Sequence, residues 1–415
     1  MANLPVQEIS LKKAADTASG SYGPALVSLA VLYFMMGFIT CLNDTLVPFF
    51  KEGFTLTYSE SSLVQFYFFL TYGVMSLPAG KVVERVGYKK GMVLGFFIAA
   101  LGALLFYPAA VMHQYPLFLA ALFVIAVGIV LLQVAANPYI TVLGPARTAS
   151  SRLTLIQGVG SIGTTVAPLF GAHFIMSRLL EAGASSDAVK YPYLGIAALL
   201  ILIAFAVSML KLPAIKARGG GVPMGGKKSI FSFRNLKLGV WALFFYVGAE
   251  VSIGTFLTNY VADTLQVAEE QANTYVALYW GSMLVGRLLG SFVLKSFKSS
   301  SVLAYSAMAA IFLIALSVNT SGYLAVWSMV AVGLCNSVMF AIVFSLSVEG
   351  LGSYTTKASG ILSTAIVGGA IVSYSQGVLI DHFTWGIAFM LPMVCYLYIL
   401  FYGISGYRHS TMERM

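Results

Sequence analysis

The sequence predicts an all-α integral membrane protein, twelve transmembrane helices in two six-helix halves. Three observations carry that reading. Hydrophobic residues are 59% of the 415 and charged residues 9%, against roughly 45–50% and 25% in soluble globular proteins. So few charges cannot cover a water-facing surface. The apolar runs match the ~20 residues that a helix needs to cross a bilayer core, and we place twelve of them. Finally, the basic residues are segregated. An even span count puts both termini on one side, and that side holds 20 of the 24 Lys and Arg. The other side holds Lys51, Arg178 and Lys190, and Arg287 lies inside a span. This is the positive-inside pattern, so both termini are expected in the cytoplasm. It also accounts for the net charge of +9, and no nucleic-acid partner is expected.

Residues 1–24 form a polar cytoplasmic tail with Lys12 and Lys13 and no apolar core before a cleavage site, so no signal peptide is expected. Spans near 25–50, 61–83, 90–111, 116–143, 153–177 and 191–211 make the N-terminal half, 25–211. Each must be helical, because a lipid-exposed chain has to satisfy its own backbone polar groups. Residues 212–236 hold Gly219-Gly220-Gly221, Gly225-Gly226 and several basic side chains, which reads as a cytoplasmic linker. Spans near 237–262, 272–295, 300–318, 323–349, 358–380 and 384–406 make the C-terminal half, 237–406, followed by a cytoplasmic tail, 407–415. Setting 152–171 against 358–377 without gaps brings Gly163 to Gly369 and Gly171 to Gly377. This is a faint internal echo of the kind left by repeats. Cys41, Cys335 and Cys395 all fall within spans as small buried hydrophobes, and no metal-ligand set or disulfide framework is visible.

Polar residues deep in the spans mark the candidate site. A carboxylate at mid-span costs about 2.5–3.5 kcal/mol on insertion scales. Only Asp44 in span 1 and Glu250 in span 7 lie well inside, with no buried Lys or Arg expected at similar depth. Each is then protonated, bound to a cation or open to water, so both are candidates for coupling to a cation, H⁺ or Na⁺. Around them stand Asn43, Gln65, Gln133, Asn137, Gln157, Tyr246, Tyr279, Trp280 and Asn336, with Gln376 in span 11. Gln133 and Asn137 share one helical face, as do Gln157 and Ser161, each pair being four apart. Amides both donate and accept, and aromatic planes cover the C–H face of a sugar ring. The set suits a hydroxyl-rich ligand, although polar side chains also glue membrane helices together. No nucleophile–base constellation is present, so an enzyme is not expected, and no cofactor is implied beyond the cation.

Two further features suggest gates. Residues 80–91 read Gly80-Lys81-Val82-Val83-Glu84-Arg85-Val86-Gly87-Tyr88-Lys89-Lys90-Gly91. Glu84 and Arg85 in this short basic turn can pair across helix ends and re-pair when the halves rock. Arg287 can snorkel toward the cytoplasmic end of span 8, where Glu349 at the end of span 10 is its expected partner.

The 80–91 turn resembles the signature loop of the major facilitator superfamily, with Glu84 where Asp is usual. Within that superfamily, Cys41-Leu42-Asn43-Asp44, Gln133-Val134-Ala135-Ala136-Asn137-Pro138-Tyr139 and Gly248-Ala249-Glu250-Val251-Ser252-Ile253-Gly254 resemble the fucose/galactose/glucose–proton symporter family, most nearly its bacterial glucose/galactose branch. The runs starting at Gly163 and Ala365 are similar too. The resemblance implies the major facilitator fold, alternating access, and cation-coupled import of a glucose- or galactose-type monosaccharide across a bacterial inner membrane. It puts the coupling acid on Asp44 and a sugar-binding amide on Gln157. The fucose branch has a second acid in span 4 where this chain has Gln133, so a two-carboxylate relay does not carry over. The expected partners are a monosaccharide and membrane lipid, the chain acting as a monomer. Two other readings stand beside this one: proton-driven efflux antiport, which the 163–171 run loosely resembles, and a sugar-binding membrane sensor without transport.

Overall fold

The computed structural model describes residues 23–54, 58–176, 189–210 and 229–408. All regular structure among them is helical. In chain order the spans are α1 (Gly23–Gly53), α2 (Tyr58–Val86), α3 (Tyr88–Met112), α4 (Tyr115–Val142), α5 (Ala149–Gly171) and α6 (Lys190–Met209). Then come α7 (Arg234–Leu265), α8 (Glu269–Ser296) and α9 (Ser299–Val318). Span α10 runs as Gly322–Asn336 and Met339–Val348. Span α11 runs as Thr355–Thr364 and Gly368–His382 around a tight turn at Ala365–Val367, and α12 runs as Trp385–Ala388 and Met390–Phe401. Among the described residues eleven stretches are long and apolar enough to cross a membrane, and α2, 29 residues long, packs among them. Large apolar side chains such as Leu101, Leu202, Leu289 and Phe312 point outward, as a lipid-facing surface requires.

Packing is densest within α1–α6 and within α7–α12. In the first group α1 and α5 meet at backbone contact. Gly37 lies on the Gly160 carbonyl, and a side chain at Gly163 would collide with the Phe34 carbonyl. In the second group α7 and α11 meet the same way, with Gly248 against Val372 and Gly368 on the Phe244 carbonyl. Small residues permit such approach, and dispersion holds it. The residue that the gap-free pairing sets against Gly163 is Gly369, next to Gly368. Gly368 makes a backbone contact with α7, whereas Gly369 lies under the Phe69 ring of α2.

The two groups join along a seam at the end of the bundle that carries the basic turns. The Tyr88 and Thr356 hydroxyls are 2.8 Å apart. The Ser151 hydroxyl donates to the Ser291 carbonyl at 2.6 Å, and Ser359 to the Val134 carbonyl at 3.0 Å. Ser150 bonds Ser345, and α2 approaches α11 where Gly80 faces Gly360. The sharp α2–α3 turn that presents Tyr88 depends on Gly87, whose φ of +85° is strained for any residue with a side chain.

Candidate functional site

The polar cluster of the second group is built around Glu250 on α7. Tyr246, one turn earlier, stands beside its carboxylate and donates to the Asn336 carbonyl at 3.2 Å. That carbonyl sits where α10 breaks, between Asn336 and Met339. A helix end leaves carbonyls without partners, and here a tyrosine supplies one. The Tyr279 hydroxyl donates to the Glu250 carbonyl at 3.1 Å and receives the Asn336 amide NH at 2.8 Å. The other end of the same amide accepts from Tyr396 at 2.7 Å. Tyr246, Tyr279, Asn336 and Tyr396 are fully buried. Asn336 thus has both amide atoms bonded to tyrosines.

Glu250 has a basic partner at its own depth, contrary to expectation. The Arg287 Nη2 lies 3.8 Å from its Oε1, with side chains 19% and 12% exposed. Arg287 also donates through Nη1 to the Ser161 hydroxyl on α5, so it reaches from one helix group to the other. The expected Arg287–Glu349 gate does not form. Glu349 is exposed at the end of α10, and its backbone carbonyl accepts from Asn235 at 3.0 Å. Depth explains the difference. Glu250 lies 15 residues before the end of α7 and Arg287 18 after the start of α8, so at 1.5 Å per residue they sit about 22 and 27 Å from the connecting turn. Among the described residues Glu84 and Arg85 make no ion pair, and the link at that turn is Tyr88 to Thr356.

The first group supplies the amides. Gln133, on α4, accepts from the Tyr72 hydroxyl of α2 at 2.6 Å. Asn137, one turn on, is fully buried; it accepts from Tyr33 on α1, and its Nδ2 has no hydrogen-bond partner. On α5 the Gln157 Oε1 is likewise buried without a partner, while its backbone carbonyl accepts from Ser161 at 3.1 Å. Buried polar atoms are rarely left unpaired. Here they fall on two of the amides picked out for a hydroxylated ligand. Gln376 on α11 is fully buried with both amide atoms unpaired. Trp280 is 43% exposed, edge-on to Tyr279 with ring centroids 5.2 Å apart. The side chains of Asn43, Asp44 and Gln65 lie outside the described residues, as do 1–22, 211–228 and 409–415 of the two tails and linker. The sequence reading missed Tyr33, Tyr396 and the seam hydroxyls. Their signal was available: tyrosine and serine repeated within otherwise apolar spans.

A bundle of membrane-length helices in two groups, one holding a buried charged cluster and the other unpaired amides, has the layout of a membrane transporter. The family model for the Major Facilitator Superfamily matches residues 29–374. The chain belongs to that superfamily. It is 48% identical over 390 residues to the glucose/galactose transporter of Brucella abortus biovar 1 (strain 9-941), covering 93% of this chain and 95% of that one. It is 31% identical over 433 residues to the L-fucose-proton symporter of Escherichia coli (strain K12), covering 97% and 98%. Among solved structures it is similar to the transporter FucP crystallised in the outward conformation, with a TM-score of 0.84, 30% identity, and coverage of 92% and 98%.

Proposed function

We propose that this protein is a cation-coupled symporter that imports a glucose- or galactose-type monosaccharide by alternating access. It works in a bacterial inner membrane, as a monomer with both termini cytoplasmic. The observation that carries the reading is the pair of unpaired amide atoms, Gln157 Oε1 and Asn137 Nδ2, on helices beside a seam that holds one end of the bundle shut. Sugar hydroxyls both donate and accept, so they can satisfy such groups as the helices move. The named relatives support the sugar class, and the proton named for the fucose symporter supports a coupling cation.

With the basic end cytoplasmic, the seam closes the inner side, and the arrangement is the outward-facing one. Sugar then meets Gln157, Gln133 and Asn137, with Asn43 and Gln65 from the neighbouring spans, while the cation, H⁺ or Na⁺, is taken up at Asp44. Separation of the seam at Tyr88–Thr356 and Ser151–Ser291 releases both solutes inward. The test is uptake of labelled glucose and galactose by proteoliposomes under an imposed Na⁺ gradient and, separately, an imposed H⁺ gradient. One gradient should drive accumulation. Asp44→Asn should abolish accumulation and spare sugar exchange. Uphill uptake that persists in Asp44→Asn removes the coupling role from Asp44, and no uptake of either sugar under either gradient refutes the reading.

A further inference from the structure

We infer that Glu250 and Arg287 form an electroneutral pair within the second helix group, from which Arg287 reaches across to the first as a positioning residue acting on α5 through Ser161, and that the transported cation does not pass through Glu250. The inference rests on the symport reading above and deepens it.

The carboxylate and guanidinium are 3.8 Å apart and both largely buried, so Glu250 already has its counter-charge within the protein. A cation arriving at Glu250 would have to displace Arg287 or leave it as a lone buried charge. Its other recorded partner, Ser161, is neutral. Breaking a buried pair by neutralising one member is costly because the remaining charge is uncompensated. The surroundings also fit a fixed support. Tyr246, Tyr279, Asn336 and Tyr396 bond one another and the backbone of α7 and α10. They hold Glu250 from four helices.

Arg287 is less firmly held. Its Nε has no hydrogen-bond partner, and its bond to Ser161 crosses between helix groups. The approach is close because α5 has a glycine there: a side-chain carbon at Gly158 would lie 3.1 Å from Leu288 and 3.5 Å from the Arg287 Cβ. Ser161 lies one turn from Gln157 on the same face of α5. Arg287 therefore joins the Glu250 cluster to the helix face that carries the unpaired amide, and it can let go at Ser161 without separating the two charges.

The test uses the full-length protein in proteoliposomes with Glu250→Gln, Arg287→Gln and the double variant. Gradient-driven accumulation and sugar counterflow are read for each, together with the melting temperature in detergent. Each single variant leaves one buried charge, and should lower both transport modes at least about tenfold and lower the melting temperature. The double variant puts two amides face to face, and should recover both modes to within about threefold of wild type, with the accumulation ratio and melting temperature restored. Recovery of counterflow without accumulation in the double variant overturns the inference, since Glu250 would then carry the cation. A single variant that matches wild type in both modes also overturns it, as does a double variant that fails to insert and purify. If the wild type shows no sugar uptake, the symport reading fails, and the order of melting temperatures still decides whether the pair is electroneutral.

Discussion

Replacing Tyr88 by Phe tests how the basic end is held shut. The hydroxyl lies 2.8 Å from that of Thr356 across the seam, and Tyr88 is 4% exposed. The ring keeps its place against Tyr139, with centroids 5.8 Å apart, so the substitution removes one hydrogen bond and little packing. Side-chain hydrogen bonds between membrane helices average about 0.6 kcal/mol and reach about 1.7. A bond made only while this end is closed therefore biases the closed state by about threefold, and at most about eighteenfold. Ser359→Ala removes a second bond, 3.0 Å long, to the Val134 carbonyl. If the two act independently their effects add to about 1.2 kcal/mol, or about eightfold. Spin labels at Arg147 and Lys298, exposed on opposite sides of the crevice at this end, report the separation by pulsed dipolar spectroscopy once Cys41, Cys335 and Cys395 are replaced. The long-distance population relative to the short should grow about threefold in Tyr88→Phe and about eightfold in the double variant. A double variant with the wild-type distance distribution would refute the idea that these bonds set the conformational balance.

Gln157→Ala should raise the sugar KM about twofold to thirteenfold, the worth of one neutral hydrogen bond of about 0.5–1.5 kcal/mol. It should leave the melting temperature unchanged, because the Gln157 Oε1 has no partner to lose; an unchanged KM would take Gln157 out of the sugar site. Gly163→Val should destabilise the protein by at least about 1–3 kcal/mol in thermal unfolding, as overpacking does, because its side chain meets the Phe34 carbonyl and lies 2.8 Å from the Phe38 nitrogen. Gly195→Ala on α6, with nothing within 4 Å of the added carbon, serves as its control and should be neutral or slightly stabilising.

The spans were legible because membrane thickness leaves little freedom. Span 3, expected at 90–111, is Tyr88–Met112, and span 9, expected at 300–318, is Ser299–Val318. The breaks in α10 and α11 were not, since the interruption after Asn336 is marked only by Asn336-Ser337, polar residues that an unbroken membrane helix also carries. For the site, residue type along one helix was readable: Gln157 and Ser161 do share a face, and Gln133 and Asn137 both enter inter-helix bonds. Partnership between helices was harder. Reading Arg287 from the cytoplasmic end of span 8 made Glu349 its natural partner. Counting from the other end, along the α7–α8 hairpin, brings it level with Glu250. The two counts differ only in which turn is taken as the origin, and the hairpin turn is the better one, because it fixes both helices at once.

The placement of strong and weak contacts explains how such a bundle can rock. Within each group the tightest joints are glycines set against a neighbouring helix: Gly37 on α1 and Gly163 on α5, Gly248 on α7 and Gly368 on α11. Those contacts cannot loosen gradually, because dispersion falls steeply with distance. Across the seam the joints are mostly hydroxyls meeting hydroxyls or carbonyls, at Tyr88, Ser150, Ser151 and Ser359. Each is worth a fraction of a kcal/mol to about 1.7 kcal/mol, and each hydroxyl finds water or its own helix backbone when the seam opens. Arg287 is the one charged crossing described, and Glu250 keeps its charge balanced on the α7–α12 side when the Ser161 bond breaks. This division of contacts fits the alternating access proposed above, in which the two helix groups rock about a central site.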